Sequence, residues 1–181
     1  MVQRTHGVGT VGAVIVALWA ALWGRHIQKE QAKDRAGLYA AYIAAKLERY
    51  MDALRTASTG VFFDDLEHHT PNFIRFKREL DAAATDISLD MLAHLIPMDG
   101  RAAHRLARGL ALVEEVQRSV AMEATRENES GGGYQVSNKR TLELGGQLDE
   151  AVGLMSVALS ECHSLAAIYA QAPTAEELYG E

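Results

Sequence analysis

The chain has 181 residues, 48% of them hydrophobic, with three prolines and a formal net charge of −6. This composition is typical of one folded, all-helical domain and not of a disordered protein. The single cysteine excludes an intramolecular disulfide, and the acidic balance disfavours nucleic-acid binding, which depends on neutralising phosphates.

The first recognisable pattern is the segment GVGTVG at residues 7–12, where Gly7, Gly9 and Gly12 have the spacing G-x-G-x-x-G. That spacing is typical of a dinucleotide-binding turn, which must follow a β-strand and open a helix. The preceding residues, MVQRTH, are polar, and the following residues are apolar on every side. The context therefore disfavours a nucleotide site, and we predict no bound cofactor.

The same region has the composition of a membrane span. Residues 7–24 contain no charged side chain, and these 18 residues are near the lower limit for crossing a hydrocarbon core. Trp19 and Trp23 lie near the end of the run, where an interfacial aromatic belt belongs. We therefore predict a transmembrane anchor at residues 1–24, with interfacial anchors at Trp19, Trp23, Arg25 and Lys29. A cleaved signal peptide and a buried core helix are the alternative interpretations.

The basic residues that flank the run predict its orientation. Arg25, Lys29, Lys33 and Arg35 follow it, whereas Arg4 alone precedes it. Because lysine and arginine are enriched on the cytoplasmic side, we expect the N-terminus outside and the body in the cytoplasm. We therefore expect a single-pass protein of a bacterial inner membrane.

Small residues recur every four positions along the predicted span. They are Gly9, Ala13, Ala17 and Ala21. A stripe of this kind lets two membrane helices approach closely, so it predicts a homodimer formed through the membrane helix.

The fold is predicted as an N-terminal transmembrane helix that continues into an antiparallel helical bundle at residues 25–171, with three long helices and one short helix. The first helix is expected to reach about residue 58, with Gly60 as its cap. Its apolar stripe consists of Ile43, Leu47, Tyr50 and Leu54, with Ala36, Ala40, Ala57 and Val61 before and after them.

Turn residues separate the later elements. The second helix is predicted at 71–85, with Thr70 as its N-cap and Pro71 in its first position. A short helix follows and ends before Pro97, and the next helix is predicted at about 100–128 with Asp99 as its cap. A flexible glycine loop at 129–137 precedes the last helix, which begins near Asn138. An acidic tail occupies 172–181.

Two of these helices carry apolar faces that predict the core. On the helix predicted at 100–128 the face is Ala103, Leu106, Leu110, Val113, Val116 and Val120. On the last helix it is Leu148, Val152, Met155, Leu159, Cys162, Ala166 and Tyr169. Cys162 is therefore expected to be a small buried apolar side chain and not a nucleophile.

No residue set predicts a catalytic or metal site. The segment DDLEHH places His68 and His69 beside three acids, but neighbouring histidines point in different directions, and a solvated loop is expected. Arg101, Arg105 and Arg108 are a candidate basic patch for an anionic partner.

These patterns predict a non-enzymatic adaptor, assembly factor or regulator. Its expected partners are the lipid bilayer, an unknown protein and a second copy of the chain, with no nucleic acid. The alternatives are an envelope-facing, periplasmic module that is sensor-like or related to lysis, and a metal-binding or enzymatic bundle.

Overall fold

The structure is a computed structural model that describes residues 6–62, 72–83, 85–98, 100–130, 138–169 and 180. These residues form five helices: α1 (His6–Phe62), α2 (Phe73–Ala82), α3 (Leu89–Ala93), α4 (Ala102–Glu129) and α5 (Asn138–Tyr169). No strand is present among them, so the all-helical prediction is confirmed.

Helix α1 is one uninterrupted helix of 57 residues, which corresponds to about 86 Å at 1.5 Å per residue. The prediction that it ends near residue 58 with Gly60 as its cap is wrong, because the helix continues through Gly60 to Phe62. A glycine inside a helix costs only about 1 kcal/mol, which the neighbouring turns offset. The predicted stripe is buried as expected: Ala36, Ala40, Ile43, Leu47, Tyr50, Leu54 and Ala57. The side chain of Val61 lies outside the described residues.

Helix α2 begins two residues later than predicted and ends three residues earlier. Its N-cap is Asn72, whose side-chain oxygen accepts a hydrogen bond from the Arg75 backbone N–H at 2.7 Å. The predicted cap Thr70 and first residue Pro71 lie outside the described residues. Asparagine is as good an N-cap as threonine, so the sequence alone does not distinguish the two starts.

Helices α3 and α4 also differ from the prediction at their ends. Helix α3 is capped by Ser88 and ends at Ala93, after which residues 94–97 form turns. Helix α4 begins at Ala102, and its N-cap Arg101 makes no side-chain capping hydrogen bond. The predicted cap Asp99 lies outside the described residues. The predicted face of α4 is buried, with Leu110 half-buried at its edge.

The core face of α5 is rotated from the predicted one. Its buried residues are Leu144, Leu148, Ala151, Met155, Ala158 and Cys162. Ala151 and Ala158 thus replace the predicted Val152 and Leu159, which are only half-buried. Small side chains face inward here because α4 approaches closely at Gly109, where an added methyl group would lie 3.2 Å from the Ala151 carbonyl oxygen.

The helices pack around one shared apolar core. Helix α5 contacts α1 and α4, α2 contacts the same two helices, and α3 contacts α4. Helices α1 and α5 run in opposite directions where they meet. Gly37 faces Tyr169, whereas Glu48, farther along α1, pairs with His163, which lies earlier on α5. Every helix contributes to the core, whose largest fully buried side chains include Ile43, Leu47, Phe73, Phe76, Leu106 and Leu148.

Candidate functional site

A segment of α1, residues 17–31, projects from the body. Residues 17–31 are exposed except for the half-buried Gly24, and complete burial on this helix begins only at Ala36. The exposed side chains include Leu18 at 59%, Trp19 at 63% and Leu22 at 64%. Large apolar side chains in a row are costly to leave in water.

Aromatic and then basic side chains follow one another along the projecting segment. The rings of Trp19 and Trp23 stack with a centroid distance of 5.3 Å, and His26 lies beside Trp23 at 6.5 Å. Arg25 and Lys29 follow, both exposed. The sequence of apolar, aromatic and then cationic side chains along one helix is the order found across a membrane interface.

The glycines of GVGTVG lie within α1, which begins at His6. A dinucleotide turn needs its glycines between a strand and a helix, and here all three are helical. The described part of this segment therefore does not form a nucleotide-binding turn.

Only part of the small-residue stripe can be placed. Ala17 and Ala21 are exposed on the projecting segment. Gly9 and Ala13 have helical backbone, and their side-chain surroundings lie outside the described residues. An added methyl group at Gly24 would meet no other atom within 4 Å, so no described neighbour packs against the helix there.

Helix α5 is the one described helix that meets the length and apolar composition of a membrane span. Its inward side chains, such as Leu148, Met155 and Cys162, lie in the core against the other helices. Its exposed residues include small ones such as Gly153 and Ser160 and large apolar ones such as Ile168. The apolar character of α5 therefore comes largely from its core residues, while its exposed face also carries Glu143, Asp149 and Glu150.

The candidate basic patch on α4 is largely neutralised. Arg105 forms an ion pair with Glu161, and Arg108 Nη2 lies 2.5 Å from Glu150 Oε1. Both acids belong to α5, so these two arginines join the helices. Arg101 alone among the three has no ion pair with a described residue.

The structure also reveals two carboxylates that the sequence did not single out. Glu127 Oε2 accepts hydrogen bonds from the backbone N–H groups of Phe73 at 2.9 Å and Ile74 at 3.2 Å. It thereby satisfies the first orphan donors of α2 from a residue on α4. Glu123 is only 4% exposed and forms ion pairs with Arg126 and Arg140. The cap from Glu127 and the pair of Glu123 with Arg140 join different helices and depend on the tertiary fold, whereas Glu123 and Arg126 are three residues apart on α4.

Two histidines on different parts of the body make separate side-chain contacts. His94 stacks on Tyr39 with a centroid distance of 4.0 Å, and His163 Nε2 lies 2.9 Å from Glu48 Oε1. No group of three potential metal ligands occurs in the described part of the chain. His68 and His69 lie outside it.

Cys162 is fully buried on α5. Burial, together with the nearby Glu161 charge, raises the pKa of this thiol to about 11. The thiol therefore stays protonated near neutral pH. Because the thiolate is the reactive form, this side chain is a poor nucleophile. This agrees with its predicted role as a small apolar side chain.

No family model matches the chain, and no curated protein or solved structure matches it either. What the described residues establish is a class. The described residues are all-helical and form five helices, one of which is long and apolar enough to span a membrane.

Proposed function

We propose that this protein is a single-pass membrane protein of a bacterial inner membrane, with its N-terminus outside and its helical body in the cytoplasm. The body is a non-enzymatic adaptor, assembly or regulatory module that binds a protein partner. The observation that carries the proposal is the exposed segment of α1 at residues 17–31, with its large apolar side chains Leu18, Trp19 and Leu22. It is continuous with the part of α1 that packs in the core.

The span is assigned to α1 and not to α5. Residues 7–24 carry no charge, whereas α5 contains six charged side chains and supplies core residues from Leu144 to Cys162. Placing α5 in lipid would remove that face from α1 and α4. It would also bring Glu161 into the hydrocarbon, where a charged side chain costs about 2.5–3.5 kcal/mol.

The body is proposed to be an antiparallel four-helix bundle with α3 attached to α4. In support, α1 and α4 each contact both α2 and α5. That cyclic order is the one in which four antiparallel helices enclose one core.

Carbonate extraction tests the anchor. We expect the full chain to remain in the membrane pellet, and a variant that lacks residues 2–24 to be released. A matched control replaces residues 2–24 by an unrelated membrane span and should restore retention. Retention of the deleted form would show that α5 or the body holds the membrane, which would contradict the assignment.

Fusions to the C-terminus test the orientation. A fluorescent protein at this position should be fluorescent, and alkaline phosphatase should be inactive. Active phosphatase would place the body in the periplasm and favour the envelope-facing alternative.

The adaptor role requires a partner that recognises the body. We expect a protein to co-purify with the full chain from membranes in mild detergent. The control is a fusion of residues 1–35 to an unrelated helical domain. The partner should not co-purify with this fusion. A partner captured equally by the control, or no partner at all, would contradict the adaptor role.

Homodimer formation through the span is proposed from the stripe formed by Gly9, Ala13, Ala17 and Ala21. In support, Ala17 and Ala21 face no other part of the body. In a membrane dimerisation assay, Ala17→Ile with Ala21→Ile should lower the signal, whereas the control Leu18→Ile should not. Equal signals from both variants would argue against this interface.

A further inference from the structure

An apolar groove lies between α3 and the first turns of α4. One wall is formed by α3 and the turn that follows it, and the other by α4. The lining residues include Leu89, Ala93 and Ile96 on the first wall and Ala103, His104 and Ala107 on the second. The groove has a volume of about 200 Å³. Pockets that enclose a small molecule have volumes of about 300–1,000 Å³, so this groove has room only for side chains of a larger partner.

Large apolar side chains in the α3–α4 groove are left mostly in contact with water. Leu89 is 75% exposed and Ile96 is 64% exposed. On α4 the lining residues are small, with Ala103 buried and Ala107 half-buried. Exposed apolar surface that is rimmed by polar residues is typical of a site for protein interaction.

The α4 wall of the groove is basic. Residues 101–113 contain three arginines and one histidine but no acid, in a chain whose net charge is −6. Arg101, His104 and Arg108 are three and four residues apart, so they lie on one side of α4, and all three are exposed. Arg101 forms no ion pair with a described residue. The pair of Arg108 with Glu150 is solvent-exposed and therefore weak, so Arg108 can exchange Glu150 for another acid.

The α3 wall has the opposite charge. Asp90 is exposed on α3 and is the one acid in residues 87–98. A ligand in the groove therefore meets cations along α4 and an anion along α3. A flat lipid surface, with the same charge on all sides, would match neither this asymmetry nor the concave shape. A partner with one acidic edge and one apolar face matches both.

The small residues of α4 suit the approach of another helix. Ala103, Ala107 and Ala111 repeat every four residues, and Ala111 is exposed beyond the groove. From the first to the third is about 12 Å along the axis, which corresponds to two helical turns. An amphipathic helix binds such a groove through apolar side chains three, four and seven residues apart.

We propose that the α3–α4 groove binds an amphipathic helix of a partner protein. The large apolar side chains of that helix pack against Leu89 and Ile96, and its acidic edge lies along Arg101, His104 and Arg108. The inference rests on the adaptor role under the proposed function. It adds the surface of the body that is used and the chemistry of the segment that it recognises.

Photocrosslinking of the full chain in its native membranes tests the site. Photoreactive benzoylphenylalanine replaces Ile96, and mass spectrometry identifies the segment that is crosslinked. The matched control carries the same residue in place of Leu142, which is 75% exposed. Because Arg140 pairs with Glu123, the start of α5 lies about 28 Å along α4 from His104. We expect residue 96 to crosslink to one acidic, amphipathic segment of another protein, and residue 142 not to crosslink to it.

Affinity measurements test the two walls separately. The crosslinked segment is made as a fluorescent peptide and titrated with the purified full chain in detergent. Leu89→Ser should raise the Kd at least about tenfold, because it truncates an apolar anchor. Arg101→Glu should raise the Kd about fivefold, since it removes an exposed charge pair.

Two controls isolate the charge effect. Arg49→Glu makes the same change of charge at a different cleft, beside Thr85 and Asp86, and should change the Kd by less than about twofold. A peptide whose acids are replaced by lysine should bind Arg101→Glu more tightly than it binds the native chain. Circular dichroism tests whether each variant keeps the Tm of the native chain.

The outcomes separate this inference from the adaptor role. Absence of both a crosslink at residue 96 and a co-purifying protein would overturn both proposals. A protein that co-purifies but does not crosslink at residue 96 would overturn the groove and leave the adaptor role intact. Crosslinks to lipid, to a second copy of the chain or to a basic segment would also overturn the inference, as would a Kd unchanged by Leu89→Ser.

Discussion

Two glycines inside helices are expected to respond in opposite ways to the same substitution. Gly109 is buried in α4 at its contact with α5, whereas Gly153 is exposed on α5. A methyl group added at Gly109 would lie 2.9 Å from Met155 Cγ and 3.2 Å from the Ala151 carbonyl oxygen. At Gly153 it would meet no other atom within 4 Å.

The magnitudes follow from two opposing effects. Alanine is favoured over glycine inside a helix by about 1 kcal/mol, so Gly153→Ala should stabilise the fold by up to this amount. At Gly109 the same gain is outweighed by overpacking, which costs about 1–3 kcal/mol, since the backbone oxygen of Ala151 cannot move away. We expect the two variants to differ by about 2 kcal/mol. For a chain of this size that is about 4–8 °C in Tm.

Thermal unfolding of the detergent-solubilised full chain, followed by far-UV circular dichroism, measures the difference. Met155→Ala on the Gly109→Ala background should recover more stability than additivity predicts, because it removes the atom in conflict. Equal Tm values for Gly109→Ala and Gly153→Ala would show that α4 and α5 do not approach as closely as the structure indicates.

Three further predictions concern single side chains. Glu127→Gln should lower the free energy of unfolding by about 1–2 kcal/mol in urea titrations, because it weakens the charged cap of α2, whereas the exposed control Glu129→Gln should have little effect. Burial raises the pKa of Tyr50 to about 12, with a smaller effect from the Glu114 charge. The unfolded tyrosine ionises near pH 10 and the folded one does not, so stability should be fully present below pH 10 and fall by about 2–3 kcal/mol as the pH rises towards 12. Tyr50→Phe should remove this fall, and an unchanged alkaline transition would argue against the burial of Tyr50. Cys162 should react with a thiol reagent at pH 8 at least about a hundredfold more slowly in the native protein than in urea, and equal rates would contradict its burial.

The sequence predicted the helical class and most core positions because these depend on periodicity along one chain. The apolar stripe from Ala36 to Ala57 repeats at helical spacing, so its burial can be predicted without knowing which helices pack against it. The apolar run at residues 7–24 likewise needs no partner to be recognised. Residues 17–24 of this run are exposed apart from the half-buried Gly24, and the membrane anchor is a proposal.

Helix ends and the choice between adjacent apolar positions were predicted less well. The start of α2 is stabilised by Asn72 and by Glu127, which is 55 residues away along the chain. The sequence offers both Thr70 and Asn72 as N-caps, and the contact from the distant Glu127 carboxylate could not be predicted from it. The inward face of α5 was displaced by one position because the close approach at Gly109 admits Ala151 better than Val152.

Charge pairing was decided by tertiary structure alone. In the sequence, Arg101, Arg105 and Arg108 form one candidate basic patch. In the structure, Arg105 forms an ion pair with Glu161, and Arg108 forms one with Glu150. Among the three, Arg101 alone forms no ion pair with a described residue. The sequence by itself therefore determined which segments are helical and apolar, because those properties are local. Which charges are neutralised and which face outward was decided by the fold, because an ion pair requires two helices to meet.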